Sequence, residues 1–190
     1  MSEEIIKNLG PLAKLAGIWE GDKGVDTAPA AERTQAQQTM YRERMTFVPI
    51  GPVDNHEQIL YGLRYSTTAW PIGDENPFHE ELGYWLWCPK GSQVMRCFMV
   101  PRGSTLIAGG KVGQHATSFH LTAKVGEPTF GILSNPYLHE EFQTIRFDLD
   151  LRIENGTILT YQEDTQLKIK GMTEIFHHTD RNTLTKISSA

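Results

Sequence analysis

Histidine supplies most of the chemistry this sequence offers. Of the 7 histidines, three fall where neighbouring residues make them interesting. His79 stands two residues before Glu81, and the pair His177-His178 comes just ahead of Asp180 and Arg181. Imidazole titrates near neutral pH and ligates metals, so both places suit ligand binding. Each also has a plainer use. His79 can cap the start of a strand by bonding to Glu81, and His178 can join a polar rim network with Asp180 and Arg181. His115, His120 and His139 have no metal-ligand spacing among themselves, and His56 fits a surface strand. Glu80-Glu81 and Glu140-Glu141 make poor acid–base pairs, because adjacent residues of a strand point to opposite faces. Nucleophile elbows, phosphate loops and zinc-helix motifs are missing from the sequence. Cys88 and Cys97 lack Cys-x-x-Cys spacing and are expected to be reduced core residues.

Composition narrows the field further. The formal charge is -5, with Lys and Arg scattered, so the basic footprint of a nucleic-acid binder is missing. No apolar run reaches the ~18 residues of a membrane span. The opening Met1–Gly10 is polar and acidic, unlike a secretory signal. These features lead to an expectation of a soluble cytoplasmic protein with no nucleic-acid or membrane partner. A length of 190 residues, 39% hydrophobic and 22% charged, suits one globular domain over 1–190.

The elements that must position the histidines are mostly strands. Ile5, Leu9, Leu12 and Leu15 predict helix over Glu4–Leu15, broken at Gly10-Pro11. Beyond this segment (1–16) the helical signal fades. In Ile145–Glu154, Ile145, Phe147, Leu149, Leu151 and Ile153 alternate with polar residues, predicting one buried and one wet face. Asn155-Gly156 then predicts a type I′ hairpin, with Thr157–Thr165 as the return strand. Further strands are predicted at Ile18–Lys23, Thr39–Pro49, His56–Thr68, Glu80–Cys88, Gln93–Pro101, Thr105–Lys111, Ala116–Ala123 and Thr183–Ser188. Asp22–Gln38, Pro71–Pro77 and Gly126–Glu141 are predicted as loops. About ten short strands with short turns predict an all-β, closed, antiparallel up-and-down barrel over 17–188, enclosing a ligand pocket. The hairpin 80–101 is apolar on both faces. Trp85, Trp87, Phe98 and Val100 share one face; Leu82, Tyr84, Leu86, Met95, Cys97 and Met99 share the other. One face is expected inside the barrel, and the other against the N-terminal helix or a partner such as a second copy.

Two segments carry a family resemblance. Gly17-Ile18-Trp19-Glu20-Gly21, at the start of the first strand, resembles the Gly-x-Trp motif of the lipocalin and fatty-acid-binding superfamily. Pro77-Phe78-His79-Glu80-Glu81-Leu82-Gly83-Tyr84-Trp85 is similar to the Pro-x-His-x-Glu-x-Gly-Tyr-Trp segment of the nitrobindin family. These are haem-binding β-barrels related to the C-terminal domain of some THAP proteins. The order helix, Gly-x-Trp strand, this motif, Pro101-Arg102-Gly103 and a terminal histidine also agrees.

That resemblance implies roles. Trp19, entered through Gly17 and followed by Gly21, would plug the closed end of the barrel. His178 would ligate ferric haem iron, with His177 the close alternative and His79 on the distal side. Tyr84 and Trp85 would line the pocket, and Arg102 would bond a propionate through its guanidinium. Asp180 or Thr179 would accept the other ring N–H of the ligand histidine. The haem would then meet nitric oxide or isomerise peroxynitrite. The alternative is a non-enzymatic carrier of a small apolar or carboxylated ligand, as in fatty-acid-binding proteins.

Overall fold

The computed structural model describes residues 3–189. Its N-terminus is a short helix α1 (Glu3–Asn8) followed by a 3₁₀ turn (Gly10–Lys14), the two pieces that Gly10-Pro11 predicts. Eleven strands follow: β1 (Gly17–Pro29), β2 (Ala36–Asp54), β3 (Ile59–Pro71), β4 (His79–Cys88), β5 (Gln93–Val100), β6 (Ser104–Lys111), β7 (Ser118–Val125), β8 (Gly131–Ser134), β9 (Phe142–Glu154), β10 (Ile158–Ile169) and β11 (Phe176–Ser188). A second helix, α2 (Pro136–Glu141), sits between β8 and β9.

The strands close in the order β1-β11-β10-β9-β7-β8-β6-β5-β4-β3-β2. All neighbours are antiparallel except β7 and β8, which run parallel. The expected simple up-and-down order therefore fails at one place. β8 slots between β7 and β6, which otherwise touch at one register pair, Gly109–Thr122. The barrel closes, leaving no free edge to template pairing with another chain.

Side-chain alternation matches the sequence pattern best on β9. Phe147, Leu149, Leu151 and Ile153 are all at most 4% exposed. Asn155 (φ 50°) and Gly156 (φ 71°) both take the left-handed conformation a type I′ turn needs. Cys88 and Cys97 are free and do not face each other; their register partners are Gln93 and Tyr84.

Departures from the predicted elements cluster at one end of the barrel. β1 runs on to Pro29 through a segment predicted as loop, and its inward residues there are Gly24, Asp26 and Ala28. β11 begins at Phe176 instead of Thr183, adding His178 and Asp180 to the inner face. Inward residues that are small or polar produce no apolar alternation, so these extensions are silent to periodicity. The predicted loop Gly126–Glu141 contains β8 and α2. Pro136 starts that helix and Asn135 caps it, its side chain accepting the Leu138 N–H at 2.9 Å. His56 lies in an exposed turn with φ 73° rather than in a strand.

The other end is dry. Leu9, Leu12, Leu15 and Trp19 are 0% exposed and join Trp87, Ile153, Leu159 and Leu184 in one apolar cluster. The Trp19 indole N–H donates to the Leu15 carbonyl at 2.8 Å, tying the first strand to the 3₁₀ turn. Gly17 has φ 129°, and a Cβ there would lie 2.2 Å from the Ser188 carbonyl oxygen, so the entry into β1 requires glycine. Gly21 is equally tight against the Thr183 carbonyl, at 2.4 Å. Among the described residues no helix is long and apolar enough to cross a membrane.

Replacing Trp19 with Ala empties the centre of this dry end and should cost about 3–5 kcal/mol. A urea titration checks it; a loss below ~1 kcal/mol would rule out the plug role.

Candidate functional site

With one end sealed, the opposite end opens into a cavity of about 500 Å³, within the range of small-ligand sites. Its walls carry Phe98, Leu106, Ile132, Phe147 and Leu167, and its mouth is bordered by Arg33, Arg102 and α2. Below the apolar walls the lining is acidic: Asp26, Glu43, Glu81, Glu163 and Asp180 all reach the cavity.

Arg96 holds the deepest charges. It lies on the inner face of β5 between Val94 and Phe98, and its side chain is 3% exposed. One guanidinium nitrogen donates to Glu81 at 2.5 Å and to the Tyr65 hydroxyl at 3.0 Å. Another donates to Glu163 on β10, across the barrel. Tyr65 also donates to Glu81, at 2.7 Å. The guanidinium sits 4.3 Å from the Phe98 ring centroid, adding a cation–π contact.

This clamp sets the state of His79. Burial alone would raise the Glu81 carboxyl, but the Arg96 charge, the His79 hydrogen bond and Tyr65 hold it down at about 2. Glu81 is therefore a fixed anion, 3.1 Å from His79 Nε2. Burial opposes charge on His79, yet the hydrogen bond and charge of Glu81 outweigh it and lift the imidazole to about 9. At neutral pH His79 is a cation on the cavity wall. Glu163 responds differently, because burial outweighs Arg96 and raises its carboxyl.

A second network crosses the floor. Tyr41 bonds to Asp180, Tyr41 lies 2.7 Å from the Tyr161 hydroxyl, and Tyr161 donates to Glu43 at 2.8 Å. Three links need three protons and two phenols supply two, so one carboxyl of the pair must carry the third. Burial supports this, pushing Glu43 up to about 7. Burial also raises Asp180 well above the usual carboxylate range, with Glu163 and Glu43 adding repulsion. Glu43 additionally accepts from Thr67 at 2.8 Å and Asn182 at 3.1 Å. Tyr41 is seated by Gly24, where a Cβ would fall 2.4 Å from the ring.

The sequence candidates separate in space. His79 and His178 line the same cavity from different walls, β4 and β11. His178 Nε2 lies 2.7 Å from Asp26 on β1, so Asp26 takes the place expected of Asp180 or Thr179. Asp180 bonds Tyr41 instead. Arg102 borders the mouth, 5.7 Å from the Phe142 ring centroid; Arg33 lies 4.6 Å from that ring and 2.7 Å from Glu141. Three candidates are not brought to the cavity. His177 faces outward, 57% exposed, with Nδ1 2.8 Å from Asp164. Tyr84 stands on the outer face, 45% exposed, because β4 alternates and Trp85 takes the inner position. Trp85 is buried deeper, packed against Phe47, Tyr65 and Phe119. Periodicity missed Tyr41, Glu43, Tyr65, Arg96, Tyr161 and Glu163. Their available signal was a polar or charged residue at an inward position, such as Arg96 between Val94 and Phe98.

The chain matches the THAP4-like, heme-binding β-barrel domain family over residues 8–186. It is also similar to the structure described as the crystal structure of Rv2717c from M. tuberculosis. That similarity is 22% identity over 96% of each chain with a TM-score of 0.62, a likeness of fold. No curated protein matches it.

Two outcomes follow from the clamp. Arg96→Met leaves Glu81 and Glu163 buried without their cation and should cost about 3–5 kcal/mol. Adding Glu81→Gln should recover part of that loss in urea titrations. His79 links stability to pH. Its folded pKa of about 9 exceeds the 6.5 of free imidazole, so its contribution is full below pH 6.5 and disappears as pH rises through 9. His79→Gln should flatten the stability profile between those limits, and an unchanged slope would contradict the charged pair.

Proposed function

The chain belongs to the THAP4-like, heme-binding β-barrel domain family, and on that premise we propose that it holds ferric haem in the open cavity through His178. The supporting observation is the donor set. Among the described residues, His178 is hydrogen-bonded through Nε2 alone, to Asp26. An Nε2–H given to Asp26 fixes the tautomer that leaves a lone pair on Nδ1, the state in which imidazole ligates iron. His79 is the weaker ligand, because a charged imidazole has no lone pair to give. Arg33 and Arg102 place guanidinium groups at the mouth, where a porphyrin's propionates would meet them. Phe98, Leu106 and Phe147 offer apolar wall for the macrocycle.

When bound, the haem would supply an iron able to take a small ligand such as nitric oxide or peroxynitrite. This chain's own part is to orient His178, exclude water with the apolar wall, and present a His79 N–H as hydrogen-bond donor. The carrier reading has less support. A ligand carboxylate reaching the floor would find Arg96 already shared by Glu81, Glu163 and Tyr65.

Ferric haem titrated into the purified chain should give a saturating Soret shift. His178→Ala should change the visible spectrum of the bound haem and weaken binding by tenfold or more, about 1.4 kcal/mol, whereas His177→Ala should leave both unchanged. No Soret shift, or the same one in His178→Ala, overturns the assignment.

A further inference from the structure

An ion pair crosses the mouth of the cavity. On one side is the turn joining β1 to β2, which carries Arg33; on the other is α2, with Phe142 just after it. Arg33 donates to Glu141 at 2.7 Å and stands 4.6 Å from the Phe142 ring centroid. The partners lie 108 residues apart in the chain, so the bond spans the opening and not a local turn. Among the described residues, no other residue of the β1–β2 turn hydrogen-bonds α2.

Both sides are held independently of this pair. The cap residue Asn135 donates to the Arg102 carbonyl at 2.8 Å and, through its backbone, to the Gly103 carbonyl at 2.9 Å. Lys170, just after β10, bonds Glu140 at 2.7 Å and Glu141 at 2.8 Å, and its backbone N–H donates to the Glu141 carbonyl at 3.0 Å. The Arg33 backbone N–H donates to the Ala30 carbonyl at 2.9 Å, and its φ of 63° is one that few non-glycine residues adopt. The turn therefore fixes where Arg33 emerges, whatever its side chain bonds.

Glu141 thus has two cations and needs one. The Lys170 hydrogen bond, ahead of the Arg33 one, holds its carboxyl below the usual range. The Arg33 side chain is 35% exposed, where an ion pair contributes little and can be exchanged. A carboxylate entering the mouth can take Arg33 while Glu141 keeps Lys170, so no charge loses its partner. A neutral ligand breaks the same pair and replaces nothing.

We propose that Arg33 is the specificity-determining residue of the mouth, a latch that Glu141 holds shut and that a ligand's own carboxylate takes over on entry. The ligand class is an apolar body with a carboxylate at its outer edge, favoured over its neutral ester. This rests on the cavity being the ligand site, and not on iron or on His178.

Metal-free protoporphyrin IX and its dimethyl ester, titrated by fluorescence into the purified full chain, test it, with circular dichroism to verify folding. The diacid should bind about tenfold more tightly than the diester. Arg33→Met should move the two in opposite directions, weakening the diacid and tightening the diester. Glu141→Gln should tighten both by about threefold to fivefold, and should do nothing further in the Arg33→Met chain. Glu140→Gln, which removes the same charge without touching Arg33, should leave both affinities unchanged. Equal affinity for the two porphyrins, or binding of neither, overturns the latch. So does a Glu141→Gln effect that persists without Arg33, or that Glu140→Gln reproduces. Should Arg33→Met fail to fold, the Glu141→Gln and Glu140→Gln comparison decides. A diacid preference alongside ferric haem binding that ignores His178 leaves the latch standing and removes only the iron assignment.

Discussion

A guanidinium buried at the centre of a β-barrel must be answered by anions, and Arg96 is answered from two walls. Glu81 stands on the adjacent strand β4, while Glu163 stands on β10, on the far side of the closed sheet. Neither carboxylate tolerates burial without Arg96, and Arg96 tolerates it only with both. The clamp therefore couples barrel closure to charge satisfaction. Only a sheet closed in this register brings β5 and β10 within one side chain's reach of each other.

The clamp also divides the interior. Towards the helical end the barrel is filled by Trp19, Trp87, Leu63 and their neighbours. Towards the mouth the walls separate around the cavity, and the floor carries the polar groups that the clamp and the Tyr41–Tyr161 chain satisfy. Anionic Glu81 keeps His79 charged; Asp26, on a different wall, orients His178. The two histidines thus differ in what lies behind each ring, Glu81 for His79 and Asp26 for His178.

The sequence carried much of this. The alternation on β9 and the Asn155-Gly156 turn established barrel strands locally, because each depends on nearest neighbours and one buried face. Through the family resemblance, Gly17 and Trp19 marked the closed end, and the segment 77–85 marked the cavity wall. Legibility failed where strands line the cavity. Gly24, Asp26 and Ala28 on β1, and His178, Asp180 and Asn182 on β11, point inward without being apolar. A rule that equates inward with hydrophobic therefore shortened both strands. Tyr84 and Trp85 looked alike as pocket aromatics, yet strand parity sends one outside and the other into the core.

By itself the sequence determined the closed β-architecture, since patterning and turn chemistry are local properties, while the sealed end and the roles of the histidines came from its resemblance to a known family. Tertiary structure alone decided which histidine faces the cavity, that Asp26 rather than Asp180 supports it, and that Arg96 joins Glu81 to Glu163. Those partners lie 152, 15 and 67 residues apart along the chain. The β4–β5 hairpin suffices for the second pair, but only closure of the barrel brings the other two together, because the register of eleven strands, unlike the pattern of any one, is a property of the whole sheet.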